Sequence, residues 1–442
     1  MVQELDERPA VCYRDPMKLP SAVMNRRLLV VGLHGFAAGV PFTLVNEVLQ
    51  AWLTVEKISI VTIGLFAYVQ TPYAWKFLWA PVLDRYRLPF LGRRRGWIFL
   101  FQVLLVISIA VLGLCNPGSS LTLTALAAVM VAFYSASHDI VVDAYRADVL
   151  LPEEMGPGSS YYVLFYRLAS FFAGGVALIL ADYLSWMTVY LLMSGTMIVG
   201  LVATVFAPEI EWMQEKPRSL LQASWLPLKE FFTRPAPFQV LLFALIYKID
   251  ANIAQALMST FFLQTGFTLT ELGAIRKTVS VVAGLAGTLV GGLIMVKIGM
   301  KRSLWVFGIL QGIVGICFVA MTFLGRNRAM LGVTVFSEFF FSGMGTAAYS
   351  AFFLAICDKR YSATQYALLT SIMAQSRILI QGQMGYLQDA VGWTNYFAIS
   401  ILAMIPGLLL LTRYDRWQIR DHIRSAEAKE PSPEPRRGVQ PA

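Results

Sequence analysis

Three ionisable residues near the end of a long apolar stretch are the strongest candidates for chemistry in this chain. Residues 121–150 carry no charge through Ser137 and then place Asp139, Asp143 and Arg146 on a predicted helix. At about 100° per residue, these three side chains fall within one narrow sector of the helix. A charge facing lipid costs roughly 2.5 to 3.5 kcal/mol on insertion scales. The three residues must therefore line a cavity or pair with another helix.

Two interpretations of this cluster are open. In the first, Asp139 or Asp143 takes up a proton and releases it on the other side of a membrane, while Arg146 favours the ionised form of the nearer acid. In the second, Asp143 and Arg146 form a fixed ion pair, and Asp148, on the opposite face, is tied to another helix. We predict a coupling role for Asp139, Asp143 and Arg146, because acids inside membrane helices are functional by default.

The composition requires a membrane setting for these helices. Of 442 residues, 57% are hydrophobic and only 14% are charged, which is too apolar for an ordinary soluble protein. A spanning helix takes about 20 apolar residues, and such stretches recur from residue 28 to residue 413. We predict an all-α integral membrane protein with twelve transmembrane helices. The predicted spans are 28–52, 59–82, 97–115, 121–149, 159–182, 186–207, 238–263, 270–296, 303–324, 330–356, 364–388 and 393–412.

Basic residues are concentrated in particular loops, so the net charge of +9 does not indicate a nucleic-acid partner. They occupy the termini and the even-numbered loops, whereas the odd-numbered loops contain only Lys57, Arg326 and Arg328. The positive-inside rule then places both termini in the cytoplasm.

An internal repeat indicates two halves. The run Gly-Arg-Arg-Arg at 92–95 has a counterpart, Gly-Met-Lys-Arg, at 299–302, and the same offset of 207 residues nearly superposes the fourth span on the tenth and the fifth on the eleventh. Parallel repeats of this kind place a substrate between the halves near the bilayer midplane. We therefore predict a cytoplasmic segment 1–27, a six-helix bundle 28–207, a cytoplasmic linker 208–237 with a helix on the inner membrane surface, a second bundle 238–413 and a partly disordered tail 414–442.

The seventh span carries a polar face. Lys248, Asn252 and Gln255 follow i, i+4, i+7 spacing, whereas Asp250 points the other way. We predict that the first three bind a carboxylate-bearing, hydroxyl-rich cargo, and that Asp250 pairs with a neighbouring helix. An ion pair between Lys248 and an acid on another helix is the alternative.

Other intramembrane cations and acids extend the set of predicted cargo ligands. Arg377 lies mid-span and Arg167 about two turns into the fifth span, and arginine binds carboxylates bidentately. Glu47 and Gln50 on the first span are further candidates. Glu47 or Glu338 is the coupling acid if the fourth-span cluster is structural.

Three further expectations concern residues outside these sets. We expect Lys76 to extend toward the inner membrane interface. Glu271, Arg276 and Lys277 are expected to form a periplasmic rim. Glycines on the eighth and tenth spans indicate close helix packing, and they are Gly284, Gly287, Gly291, Gly292, Gly343 and Gly345.

The loop after the second span carries a family resemblance. Asp84 and Arg85 followed by Gly92, Arg93 and Arg94 resemble the signature loop of the major facilitator superfamily. The resemblance implies a major facilitator fold, in which these five residues form a cytoplasmic gate that latches helix ends in the outward-facing state.

Several longer motifs are similar to the AmpG type of muropeptide permease within that superfamily. They are GFAAGVP at 35–41, LQAWL at 49–53, PYAWKFLWAPVLDRY at 72–86, LGRRRGW at 91–97, SASHDIVVDAYRADVL at 135–150, YKIDA at 247–251 and SATQYALL at 362–369. The resemblance implies proton-driven import of anhydro-muropeptides across a Gram-negative inner membrane for peptidoglycan recycling. The implied partners are an anionic sugar-peptide, protons and the lipid bilayer, and we expect a monomer.

Two alternatives remain. The same carrier fold serves other bulky anionic solutes, such as acyl-CoA-like molecules or siderophores. A membrane-embedded enzyme would need a metal or nucleophile constellation, but His34, His138 and His422 do not cluster in sequence and the four cysteines lack metal spacing. We therefore expect no enzymatic activity, no metal and no cofactor.

Overall fold

The computed structural model describes residues 25–151, 154–208, 229–233, 236–357 and 362–417. The predicted N-terminal segment up to residue 24, most of the linker and the tail from residue 418 lie outside the described residues. All regular secondary structure in the described ranges is helical.

Helical stretches follow one another along these ranges and are numbered α1 to α12. Their bounds are α1 Arg26–Val55, α2 60–85, α3 Arg93–Leu114, α4 Leu121–Val149, α5 155–181, α6 Trp186–Val205, α7 Pro237–Gln264, α8 Leu269–Ile298, α9 Met300–Leu324, α10 Arg328–Ile356, α11 362–391 and α12 393–411.

Within the described residues, nine stretches are long and apolar enough to cross a membrane. One of them, Leu368–Leu411, contains both α11 and α12, which meet at Gly392 with a φ of 71° that glycine tolerates. The stretches α2 and α10 are outside this count. Stretch α2 consists of short α and 3₁₀ pieces, with Pro72 and Pro81 at two helix starts. The all-helical membrane class is confirmed, whereas the full number of twelve crossings stays a prediction.

The offset of 207 residues is visible in the structure. Helices α4 and α10 have 29 residues each and begin at Leu121 and Arg328, which are separated by that offset. Gly92 before α3 and Gly299 before α9 share left-handed φ angles of 78° and 80°. Glycine is the residue that adopts this conformation without strain, so both copies keep the same turn.

Glycine positions let helix backbones touch. A Cβ on Gly287 of α8 would lie 1.9 Å from the carbonyl oxygen of Phe340 on α10, and one on Gly343 would lie 2.6 Å from the carbonyl oxygen of Gly284. A Cβ on Gly35 of α1 would lie 2.4 Å from the carbonyl oxygen of Tyr162 on α5. Small residues at helix interfaces permit this packing in membranes.

Helices from the N-terminal and C-terminal parts of the chain meet at one end of the bundle. We call it the closed end, where α1, α5 and α7 finish and α2 and α8 begin. The Oγ1 atoms of Thr54 and Thr260 lie 2.9 Å apart, and the backbone N–H of Thr270 donates to Asp182 over 2.7 Å. Helix α2 runs antiparallel to α11 along the same interface. Toward the opposite end, within the described residues, α4 forms no hydrogen bond or ion pair with residues 237–417.

Candidate functional site

The acids and the arginine of α4 divide into two groups. Arg146 donates from Nη1 to Asp143 over 3.0 Å, and its guanidinium lies 4.1 Å from the centroid of the Tyr162 ring. Asp148 accepts from Nε of Arg94 on α3 over 3.2 Å. The ion pair of the second interpretation is therefore present. A coupling role for Asp143 and Arg146 stays a prediction.

Asp139 is the α4 acid without such a partner. Its Oδ1 atom is buried and has no hydrogen-bond partner in the described part of the chain. The charged groups that interact with it electrostatically are Lys76, Asp143 and Arg146. Lys76 thus lies close enough to influence Asp139, an interaction that sequence spacing did not indicate. An unpaired buried acid is suited to gaining and losing a proton.

Helix α7 directs its polar residues toward α10. The Lys248 ammonium donates to the Thr346 hydroxyl over 2.6 Å and to the Ser342 carbonyl oxygen over 3.1 Å, and Gln255 donates to Glu338 over 2.8 Å. The alternative of an acid bonded to Lys248 is not seen among the described residues, because its partners are neutral oxygens. The predicted cargo roles of Lys248, Gln255 and the half-buried Asn252 are untested.

Asp250 departs from its predicted pairing with a neighbouring helix. It is 5% exposed, and it interacts electrostatically with Lys248 and with the backbone N–H groups of Asp250 and Ala251 on its own helix. The cause is a break in α7 at Lys248, with φ −110° and ψ 21°, after which the helix restarts at Ile249. The first N–H groups of a restarted helix lack intrahelical acceptors, and the Asp250 carboxylate lies beside two of them.

Glu47 joins the two parts of the chain. Both of its carboxylate oxygens accept from Lys277 of α8, over 2.9 and 2.8 Å, and Nη1 of Arg276 lies 4.0 Å away. Arg276 and Lys277 are 7% and 6% exposed, so their predicted place on a periplasmic rim is wrong. Glu271 is equally buried, at 7% exposure, and it binds Arg326 in the loop before α10 and Arg328, the first residue of α10.

The local cause of this burial is three π-helical turns that converge at the closed end. They are Leu44–Val48 in α1, Phe172–Val176 in α5 and Leu272–Lys277 in α8. Each wider turn changes the direction of later side chains, and the Lys277 chain lies against Gly174. Such turns are frequent at functional sites. The sequence carried no clear signal for them.

A chain of amides runs across the interface. Arg377 of α11 donates to the side-chain oxygen of Gln70 over 2.9 Å, and the side-chain nitrogen of Gln70 donates to the side-chain oxygen of Asn46 over 2.8 Å. Gln50 donates to the backbone carbonyl oxygen of Ala256 over 2.6 Å. Amide side chains line a small cavity between α1, α2, α7 and α11, and they come from Asn46, Gln50, Gln70 and Gln381. The cavity offers both donors and acceptors.

Arg377 and Arg167 both lie at the interface between the two parts of the chain. The Arg377 guanidinium is 5.4 Å from the centroid of the Phe42 ring. Arg167 of α5 approaches α8, where its Nη1 would be 3.7 Å from a Cβ on Gly284. Its Nε atom is buried and has no hydrogen-bond partner within the described ranges. Both arginines are therefore placed where a molecule between the halves would meet them.

The predicted cytoplasmic gate is described only in part. Gly92 begins the turn into α3, and Arg94 is bonded to Asp148. Arg93 also has interacting partners. The side chains of Asp84 and Arg85 lie outside the described residues, so the gate as a whole stays a prediction.

Sequence reasoning missed one buried network. Its four side chains form a chain of hydrogen bonds. Nε2 of His34 lies 3.1 Å from the Thr204 hydroxyl, which donates to Oε1 of Gln102 over 2.8 Å. Nε2 of Gln102 lies 3.3 Å from Nε2 of His138. Both histidines are fully buried. The network links α1, α3, α4 and α6. In the part of the chain that the structure describes, no cluster of three metal-ligating side chains is present.

Comparison with known proteins assigns this architecture to a family. A family model described as Major Facilitator Superfamily matches residues 27–380. The nucleoside transporter NupG superposes with a TM-score of 0.70 at 11% identity, over 90% of this chain and 100% of that chain. A D-xylose-proton symporter superposes with a TM-score of 0.67 at 11% identity, over 87% and 96%. The chain belongs to the major facilitator superfamily and is a multi-pass membrane transporter, not an enzyme.

Sequence relatives narrow the family further. An anhydromuropeptide permease of Escherichia coli strain K12 is 41% identical over 387 residues, which cover 87% of this chain and 79% of the relative. A putative transporter AmpG 1 of Rickettsia conorii is 28% identical over 409 residues, which cover 88% and 98%. Within the superfamily, the chain is of the AmpG permease type.

Proposed function

We propose that this protein imports anhydro-muropeptides across the bacterial inner membrane, driven by protons, for peptidoglycan recycling. The observation that carries the proposal is the 41% identity to a permease named for that cargo, over 87% of the chain. Transport proceeds by alternating access, in which the bundles 28–207 and 238–413 rock about a central site. The protein acts as a monomer.

The distribution of basic residues supports an orientation. With both termini in the cytoplasm, the closed end faces the periplasm. The described conformation is then the one that opens inward, because the interface contacts gather at the periplasmic end. Release of cargo to the cytoplasm is the step that this conformation serves.

The chemistry of the interface supports an anionic, amide-bearing cargo. Muropeptides carry peptide carboxylates, which Arg377 and Arg167 bind as charged, planar donors. Lys248 binds a further carboxylate once it leaves its oxygen partners on α10. N-acetyl groups of the sugars exchange hydrogen bonds with Gln50 and the other amides of the small cavity once the two bundles move and the cavity widens. Asn252 and Gln255 contribute from α7.

Proton coupling is assigned to α4. Asp139 has a carboxylate oxygen without a partner, whereas Asp143 is held by Arg146. Asp139 therefore carries the proton, and the Asp143–Arg146 pair sets the charge of its surroundings. The role of Glu47 changes with respect to the sequence prediction. As the partner of Lys277 across the interface, it closes the periplasmic gate rather than binding cargo.

Uptake of labelled anhydro-muropeptide into proteoliposomes, with and without an imposed pH gradient, tests the proposal. We expect accumulation only with the gradient. Arg377→Ala should weaken uptake at limiting cargo concentration, and Arg302→Ala, at an exposed arginine of α9, is the matched control that leaves it unchanged. Gradient-driven uptake of an acyl-CoA or a siderophore, with none of the muropeptide, would assign the carrier to other cargo.

A further inference from the structure

A second acid is buried in the C-terminal bundle without a counter-ion. Glu338 of α10 is 1% exposed. Its Oε1 atom accepts from the side-chain amides of Gln255 on α7, over 2.8 Å, and Gln311 on α9, over 3.0 Å. Within the described residues, no cation lies within 4.0 Å of this carboxyl group. Two neutral amides therefore hold the group from two different helices.

Two unpaired polar atoms belong to neighbours of the same group. The Oε1 atom of Gln311 is buried and has no hydrogen-bond partner in the described structure, and neither has the hydroxyl of Thr334, one turn before Glu338. A buried polar group without a hydrogen-bond partner destabilises the structure. A protonated carboxyl group has an O–H donor that a carboxylate lacks. Gln311 already donates to Glu338, so a proton on Oε2 that bonds to the Gln311 carbonyl oxygen would close a two-bond acid–amide pair.

We infer that Glu338 is a proton-binding site of the transporter and is protonated in the conformation described. An ionised carboxyl group without a partner is costly in such surroundings, and amide donors do not cancel its charge. This inference rests on the proposed proton-driven function and extends it. It gives the C-terminal bundle a proton site of its own, separate from Asp139 on α4.

The charged and titratable neighbours of Glu338 are few. Lys248 and Asp250 on α7 and Cys317 on α9 interact with it electrostatically. The cations near the start of α8 have other partners. Arg276 donates to Ser259, and Lys277 donates to Glu47 of α1. Lys248 is therefore the cation that is attracted to Glu338 when its carboxyl group becomes ionised.

A polar stripe connects the two groups. Residues at i, i+4, i+8 and i+12 along one face of α10 are Thr334, Glu338, Ser342 and Thr346, and Lys248 is bonded to the last two. When the O–H bond of Glu338 breaks, its proton passes to water and a carboxylate remains. The Lys248 ammonium then leaves the oxygens of Ser342 and Thr346 for that carboxylate. Proton release thus changes how α7 and α10 are bonded to each other.

Infrared difference spectroscopy tests this site without any cargo. The wild-type protein at neutral pH should show the C=O stretching band of a protonated carboxylic acid, with the shift in D₂O that marks an exchangeable proton. Glu338→Gln should remove the component of that band that Glu338 contributes and so lower its intensity. Glu47→Gln is the matched control, because an acid bonded to Lys277 is ionised and contributes no such band. A band that persists unchanged in Glu338→Gln overturns the inference.

Transport measurements provide the second arm. Glutamine has the shape of a protonated glutamate, so Glu338→Gln should melt like the wild-type protein. It should exchange labelled for unlabelled cargo across the membrane but lose accumulation driven by a pH gradient. Undiminished gradient-driven accumulation in Glu338→Gln contradicts the inference. A wild-type protein that transports no muropeptide removes the proposed cargo alone, because the infrared result does not depend on it.

Discussion

Removal of the Lys277 ammonium should open the closed end of the bundle. In Lys277→Met, the Glu47 carboxylate loses a partner at 2.8 and 2.9 Å that is 7% exposed at its side chain. Breaking a buried ion pair by removing one partner costs about 3 to 5 kcal/mol. Arg276 remains 4.0 Å from Glu47, so we expect a value near the lower end of that range.

The cost applies to the closed state, because only that state brings α1 against α8. About 3 kcal/mol corresponds to a shift of roughly 100-fold in the ratio of closed to open molecules, since every 1.4 kcal/mol is tenfold. The population of molecules open at the closed end should therefore rise from a minor to a dominant species if the wild-type ratio of closed to open molecules is below about 100.

Distances between spin labels measure this shift. Tyr183 and Ala329 are exposed at the closed end on the two sides of the interface, and cysteines there would carry the labels in a background without the native cysteines. We expect Lys277→Met to move the distance distribution to longer values. Lys301→Met is the matched control, because its partner Asp415 is largely exposed and a surface pair contributes little.

A charge exchange completes the test. Glu47→Lys combined with Lys277→Glu should restore the short distances in part, with Arg276 limiting the recovery by repulsion. Identical distance distributions in wild type and Lys277→Met would refute the assignment of this pair to the gate, as would a failure of the exchanged pair to shorten the distance.

Three other changes have expected outcomes. Gly287→Ala places a Cβ 1.9 Å from the Phe340 carbonyl oxygen and should lower the melting temperature by several degrees. Gly292→Ala is the control and should leave it unchanged, because Gly292 has open space around it. Equal melting temperatures of the two variants would contradict the backbone contact. Asp139→Asn should abolish accumulation driven by a pH gradient while cargo exchange continues, as measured in proteoliposomes; normal accumulation would remove Asp139 from the mechanism. Arg377→Ala should reduce the affinity for muropeptide at least tenfold in a binding assay, with little change in melting temperature; unchanged affinity would exclude it as a ligand.

Local spacing carried much of the prediction. The pair Asp143 and Arg146 follows from i, i+3 geometry, and the repeat offset follows from short motifs, so both are visible in the sequence. The glycines of α8 and α10 indicated close packing because small residues in apolar helices have that use. Gly287 and Gly343 contact the facing backbone as expected, whereas Gly292 has open space around it.

The surroundings of Lys277, Asp250 and Glu47 depend on tertiary structure and could not be predicted from residue spacing in the sequence. Lys277 was misplaced because a π turn rotates it inward, and no residue pattern marks that turn. Asp250 was misplaced because α7 restarts at Ile249 and exposes backbone donors. The pairing of Glu47 with Lys277 joins positions 230 residues apart, and a single sequence gives no contact information over that distance.

The contact of the α8 and α10 backbones at Gly287 has a mechanical consequence. Where no side chain separates two helices, their backbones are in direct contact, so we expect α8 and α10 to move together as one unit. In this pair of helices, Lys277 lies at the start of α8, at the closed end, and Glu338 lies on the face of α10 that contacts α7. We therefore expect a displacement of Lys277 to move Glu338 through the contacting helix backbones, without intervening side-chain contacts.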